Sequence, residues 1–185
     1  MYKLPEILDD QEQAALLAAP NQKAPTGCRN HAILKVMLDA GLRASETINL
    51  KEGDINWRSG CLTVRCGKGG RDRTLWLNGS CLEALEAWRK IKPASTYLFC
   101  TLKGGKLGDR YLREFVKRYA KKKGLTKDVH PHTLRHTFAT DMLSKTSNIR
   151  IVQKALGHKS IVTTTIYTHI VDHQLESAMK NFRNT

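Results

Sequence analysis

Acidic side chains are scarce in this chain. Seventeen Asp and Glu stand against 31 Lys and Arg, which leaves a net charge of +14 over 185 residues. Such an excess points to polyanionic partners, nucleic acid phosphates first and anionic membrane surfaces second, with a basic surface kept only for solubility as the plain alternative. Aromatics are few, at 6%, so the stacking platform expected of a general RNA-binding protein is missing. No run approaches the roughly 18 apolar residues that span a bilayer. The opening MYKLPEILDDQEQ is polar and acidic, unlike a signal peptide. The five cysteines (Cys28, Cys61, Cys66, Cys81 and Cys100) are odd in number and form no CxxC pair. They read as reduced thiols of a cytosolic protein, which argues against a disulfide framework or a zinc site. The chain has neither an internal repeat nor a low-complexity tract.

What is present reads as one α+β domain, mainly α-helical, with a small three-stranded antiparallel sheet. Hydrophobic content of 41% over 185 residues supports a core of its own. Helices are expected over 9–19, 28–40 and 45–50, the second stopped by Gly41. The period then changes to that of short strands, over 54–57, 61–65 and 74–77, joined by Gly-rich turns. Helix returns over 80–90. A basic amphipathic helix runs from Asp109 to about Lys123, and only Asp109 and Glu114 oppose ten basic residues between Lys103 and Lys127. Helices over 133–143, 148–156, 160–167 and 171–182 close the chain. The helix over 160–167 contains the β-branched run Thr163-Thr164-Thr165, which helices tolerate poorly. The last helix presents Leu175, Ala178, Met179 and Phe182 on one side, suited to its own domain or to a neighbouring protomer.

Chemistry-bearing residues follow one another in a fixed order. Arg43 stands in GLRASE, with Glu46 one helical turn on. Lys68 lies in GKGGRDR at the tip of the expected hairpin. His132 and Arg135 occupy HPHTLRHTFAT, a helical turn apart and so on one face. His158 follows a glycine in LGHKS, and Tyr167 stands in TTTIYTH. A guanidinium grips two phosphate oxygens at once. An imidazole moves a proton near neutral pH, and a phenol relieved of its proton is a covalent nucleophile. Taken singly, each of these residues has an ordinary structural role, such as an ion pair, a solvated turn lysine or a core tyrosine.

Their order and spacing together resemble the catalytic signature of the tyrosine recombinase family, the phage integrases and Xer-type recombinases, over essentially the whole chain. The resemblance implies a recombinase catalytic domain that cleaves and rejoins DNA strands through a 3′-phosphotyrosine. It makes Tyr167 the nucleophile, with Arg43 and Arg135 clamping the non-bridging oxygens. His132 is then the general base, Lys68 the acid for the departing 5′-hydroxyl, and His158 a hydrogen-bond partner of the phosphate. Glu46 would support Arg43. Two arginines would supply charge that other phosphoryl-transfer sites take from magnesium, so no metal or other cofactor is expected.

The expected partners are double-stranded DNA and further copies of the chain, as a tetramer on paired sites through the last helix. The expected DNA contacts are Arg65, Arg71 and Arg73 on the hairpin and Arg110, Arg113, Lys117 and Lys121 on the basic helix. The N-terminal core-binding domain of most relatives is expected to be absent, and the expected location is cytoplasmic. A type IB topoisomerase and a catalytically idle DNA-binding module are the rival readings. Duplex binding followed by fluorescence anisotropy should weaken steeply between about 50 and 200 mM salt, as it does when many phosphates are contacted. A flat response would remove the phosphate-tracking surface.

Overall fold

The computed structural model describes residues 5–65, 72–158 and 179–180. In chain order these form α1 (Asp10–Leu17), α2 (Pro25–Ala40), α3 (Ala44–Asn49), a 3-10 turn (Glu52–Asp54), β1 (Ile55–Asn56), β2 (Cys61–Val64), β3 (Arg73–Trp76), α4 (Gly79–Arg89), α5 (Asp109–Lys122), α6 (Pro131–Thr146) and α7 (Ile149–Leu156). The expected α+β architecture, helical with a three-stranded antiparallel sheet in the order β1-β2-β3, is what the chain adopts. The hairpin connection 66–71 and the helices expected over 160–167 and 171–182 lie outside the described residues, apart from a helical pair at 179–180.

Helix α2 is the axis. Ile33, Leu34, Val36 and Met37 are fully buried, and α2 packs against both α4 and α6. It begins at Pro25, earlier than the apolar pattern, because proline fits the first helical position, where no N–H is needed. Gly41 ends it in the left-handed conformation at φ 59°. A side chain is excluded there twice over, since a Cβ on Gly41 would lie 2.2 Å from Cδ1 of Phe138 on α6. That close approach lets the end of α2 rest on α6. Helix α6 likewise starts two residues before the expected Thr133, because His130 caps it through Nδ1, 3.3 Å from the Thr133 N–H, and Pro131 takes the first position.

The first two strands are shorter than expected, and the third keeps its length but starts one residue earlier, at Arg73. Cys61 faces Trp76, Leu62 faces Leu75 and Val64 faces Arg73 across the β2–β3 ladder. Leu75 and Arg73 point inward while Thr74 and Trp76 point out. Helix α5 buries Leu112, Phe115, Val116 and Ala120 at helical spacing and leaves its basic side chains outside. A buried polar group pins α5 to α2. Arg29 donates to the Cys100 carbonyl at 2.8 Å and to the Tyr111 hydroxyl, while Asn30 reaches Tyr119 at 3.2 Å.

Cys28, Cys61, Cys81 and Cys100 are free thiols, and Cys66 lies outside the described residues. No helix among the described residues is long and apolar enough to cross a membrane. Gly41→Ala should cost about 2–4 kcal/mol, from left-handed strain and overpacking against Phe138, read as a lower urea midpoint. An unchanged midpoint would show that α6 yields at no cost.

Candidate active site

Glu46 is the centre of the site. It lies in the first turn of α3, and Arg43 immediately precedes that helix. The spacing turns the carboxylate back on its own helix start: the Arg43 backbone N–H donates to Glu46 Oε2 at 2.8 Å and Arg43 Nη1 donates to Oε1 at 2.9 Å. From β3, Arg73 forks onto the same group, Nη1 to Oε1 and Nη2 to Oε2, both at 2.8 Å. Its Nε donates to the Ala155 carbonyl at 2.8 Å, in the last turn of α7. The Arg73 and Glu46 side chains are only 6% and 9% exposed, so this is a buried pair, whereas Arg43 keeps 39% of its side chain exposed.

Helix ends hold a second guanidinium, that of Arg135. The last carbonyls of a helix lack intrahelical partners and carry partial negative charge, which suits a cation. Arg135, on α6, donates through Nη1 to the Gly41 carbonyl at 2.5 Å and through Nη2 to the Leu156 carbonyl at 2.6 Å. The ends of α2 and α7 therefore meet at one guanidinium. Nη2 also reaches His158 Nε2 at 3.2 Å, and Nη1 lies 3.9 Å from Glu46 Oε2. A guanidinium can only donate, so Nε2 of His158 accepts and its ring proton sits on Nδ1. His158 owes its place to Gly157, which ends α7 at φ 65°. A Cβ on Gly157 would stand 3.0 Å from Arg73 Cδ.

Charge and burial tune the site. Burial alone would raise the Glu46 carboxyl. The hydrogen bond from Arg73, the Arg43 N–H and the charges of Arg73 and Arg135 outweigh it and lower the pKa to about 2. Desolvation, then the charges of Arg135, Arg43 and Arg73, lower His158 to about 4. His132 is exposed near the start of α6. It too is lowered, first by partial desolvation, then by His130, Arg135, Arg113 and Arg43. Both imidazoles are thus neutral at pH 7, and a neutral imidazole accepts a proton. Among the described residues, no group of three or more His, Cys, Asp or Glu could hold a metal ion.

The structure therefore brings together Arg43, Glu46, Arg135 and His158, with His132 within electrostatic reach. Lys68, Tyr167 and Arg71 lie outside the described residues. Arg73 corrects an expectation. Read as a surface DNA contact, it is buried, and its guanidinium is turned onto Glu46 and Ala155. Strand parity carried the signal, because Arg73 shares a face with Leu75 and Leu77. Arg65 is 67% exposed and donates from Nε to Asp54 at 2.6 Å. Arg110, Arg113 and Lys117 lie on the outer face of α5 with 91%, 65% and 72% of their side chains exposed, each paired with a surface carboxylate. Lys121 is exposed beside them.

The site has a defined acid response. A carboxyl depressed in the folded state contributes stability that is complete above its unfolded pKa and lost as pH falls through its folded one. For Glu46 that window runs from 4.5 down to about 2, and the contribution is of order 3 kcal/mol. His158, depressed from 6.5 to about 4, adds a loss in the window between those values, because the unfolded imidazole takes up its proton first. Urea unfolding from pH 7 to 2.5 should show both. Glu46→Gln should be less stable than the parent at pH 7, and the gap should close below pH 4.5. A gap that stays constant with pH would mean the carboxylate charge contributes nothing.

Comparison with known proteins identifies the family and the fold. The model of the phage integrase family matches residues 6–174. The tyrosine recombinase XerC of Xanthomonas campestris pv. campestris (strain B100) is 39% identical over 170 residues, covering 91% of this chain and 52% of its own length. XerC of Pelotomaculum thermopropionicum is 34% identical over 189 residues, covering 96% of this chain and 61% of its own length. Among solved structures, XerA recombinase superimposes with a TM-score of 0.84 at 32% identity, over 99% of this chain and 67% of that one. XerH, in a post-cleavage complex with a palindromic difH substrate, gives 0.81 at 33% identity, over 96% of this chain and 53% of that one. The chain spans about half to three-fifths of the length of these curated relatives. It belongs to the phage integrase family, with the fold of a Xer-like tyrosine recombinase catalytic domain.

Proposed function

We propose that this chain is the catalytic part of a site-specific DNA recombinase that cuts and rejoins strands of duplex DNA through a covalent 3′-phosphotyrosine. The observation that carries the reading is the convergence of Arg43, Arg135 and His158 around the Glu46 centre, on a fold shared with Xer recombinases. Tyr167 attacks the scissile phosphorus. The Arg43 and Arg135 guanidiniums oppose the charge that gathers on the non-bridging oxygens. His132 takes the phenolic proton, and its depressed pKa keeps it able to accept one. His158 binds the phosphate, and Lys68 protonates the 5′-hydroxyl that leaves. A phosphodiester exchanged for a phosphotyrosyl ester keeps its bond energy, so a second 5′-hydroxyl reverses the step without ATP. The demand on the phenol is large, since at a reference pKa near 10 only about one in a thousand is ionised at neutral pH.

The outer face of α5, with Arg110, Arg113, Lys117 and Lys121, tracks the DNA backbone, and Arg65 and Arg71 are further phosphate contacts. Copies assemble as a tetramer on paired sites, with the helix expected over 171–182 as the docking element. XerH, a site-specific recombinase bound to a palindromic difH substrate, at 33% identity, supports duplex DNA as the partner. A topoisomerase would relax one circle, whereas a recombinase exchanges strands between two.

A pool of nicked duplexes with randomised cores, in which the 5′-hydroxyl fragment diffuses away after attack, tests the chemistry. The parent chain should form a covalent adduct that survives denaturing electrophoresis, in chelator as well as without it. Tyr167→Phe should lose that adduct while duplex binding stays nearly unchanged. Adduct formation by Tyr167→Phe would overturn the nucleophile assignment.

A further inference from the structure

Arg73 lies outside the set of side chains proposed to meet the phosphate, yet its guanidinium is buried in the site. Glu46 stands between it and Arg43. Among the described residues the carboxylate accepts two hydrogen bonds from Arg43 and two from Arg73. The two sets differ in kind. Those from Arg43 come from its backbone N–H and one terminal nitrogen. Those from Arg73 form a complete bidentate fork, the strongest geometry a guanidinium offers a carboxylate. The fork is buried at 6% side-chain exposure, while Arg43 remains 39% exposed on the open side of the same carboxylate.

We infer that Arg73 is a positioning residue that takes up the negative charge of Glu46, so that Arg43 and Arg135 face the scissile phosphate with their own charges uncancelled. The inference rests on the recombinase reading above and deepens it. Without Arg73, the two clamp arginines and one carboxylate sum to +1. With it, the sum is +2. A phosphodiester carries one negative charge in the ground state and gathers a second as the attacking oxygen adds. The assembly therefore matches the transition state better than the substrate, which is the condition for accelerating the step. Glu46 is needed to aim Arg43, and Arg73 removes the electrostatic cost of having it there. The Arg73 Nε bond to Ala155, one residue before the Leu156 carbonyl that holds Arg135, ties the same device to the end of α7.

Inorganic phosphate at fixed ionic strength is the probe, followed through the ring proton shifts of His158 and His132. Arg73→Gln should weaken phosphate binding about tenfold, the effect of one unit of charge removed at short range in a partly solvated site. Arg73→Gln combined with Glu46→Gln restores the net charge and should return affinity to near that of the parent. Glu46→Gln alone sheds the negative charge and keeps an amide oxygen to accept from Arg43, so it should bind most tightly. Arg73→Lys keeps the charge and loses the fork, so it should keep phosphate affinity while its melting temperature falls. A purely structural role predicts the opposite pattern, with the double variant and Arg73→Lys binding as weakly as Arg73→Gln. Either of those results overturns the inference.

On trapped DNA, a methylphosphonate at the scissile position removes one negative charge, and the Arg73→Gln defect in adduct formation should shrink there. A defect equal on both diesters also sinks the inference. If the parent forms adduct and Arg73→Gln binds phosphate and reacts as the parent does, this inference fails alone. If phosphate moves neither imidazole in the parent and no duplex is trapped, the recombinase reading fails with it.

Discussion

A carboxylate cannot remain ionised in a protein interior without partners, and Glu46 is the ionised carboxylate on which this site is built. Three guanidiniums surround it, from the start of α3, from β3 and from α6. The partnership is asymmetric in energy. Removing one partner of a buried pair typically costs about 3–5 kcal/mol, because the remaining charge is stranded. Three segments far apart in the chain are thereby held in a single arrangement. The start of α3, the base of the hairpin and α6 cannot drift apart without uncovering that charge.

Helix termini complete the arrangement. The carbonyl of Gly41 and those of Ala155 and Leu156 end two helices, and each meets a guanidinium. Both helix ends turn through a glycine in the left-handed conformation, at Gly41 and Gly157. In each case the missing Cβ also makes room, for Phe138 at one end and for the Arg73 stem at the other. The same two glycines thus terminate the helices and permit the close approach that brings the arginines to the carbonyls. Donors set in this way before any substrate arrives need little reorganisation when charge develops. Beyond them, α5 places Arg113 within electrostatic reach of His132, so the basic face and the candidate site adjoin.

Local order was readable without coordinates. Gly41 and Gly157 as helix stops, the strand alternation of the middle, the basic face of α5 and the one-turn spacing of His132 and Arg135 all follow from neighbours within a few positions. Helix starts were read less well. The apolar pattern put α2 at Cys28 and α6 at Thr133, while the proline-initiated first turns extend each helix by two or three residues. The roles of Lys68 and Tyr167 rest on the motif alone.

By itself the sequence determined the element types, the order of the reactive residues and the excess of positive charge, because period, capping and composition are properties of adjacent positions. Only the tertiary structure decided where each charge goes. Arg73 meets Glu46 across 27 positions, Arg73 meets Ala155 across 82, and Arg135 meets Gly41 across 94. Strand parity puts Arg73 on the face of Leu75 and Leu77, but nothing local names the buried acid it turns to. The pairing comes from the need of a buried carboxylate for a counter-charge, which arises only when the strand packs against α7 and Arg73 reaches Glu46 on α3.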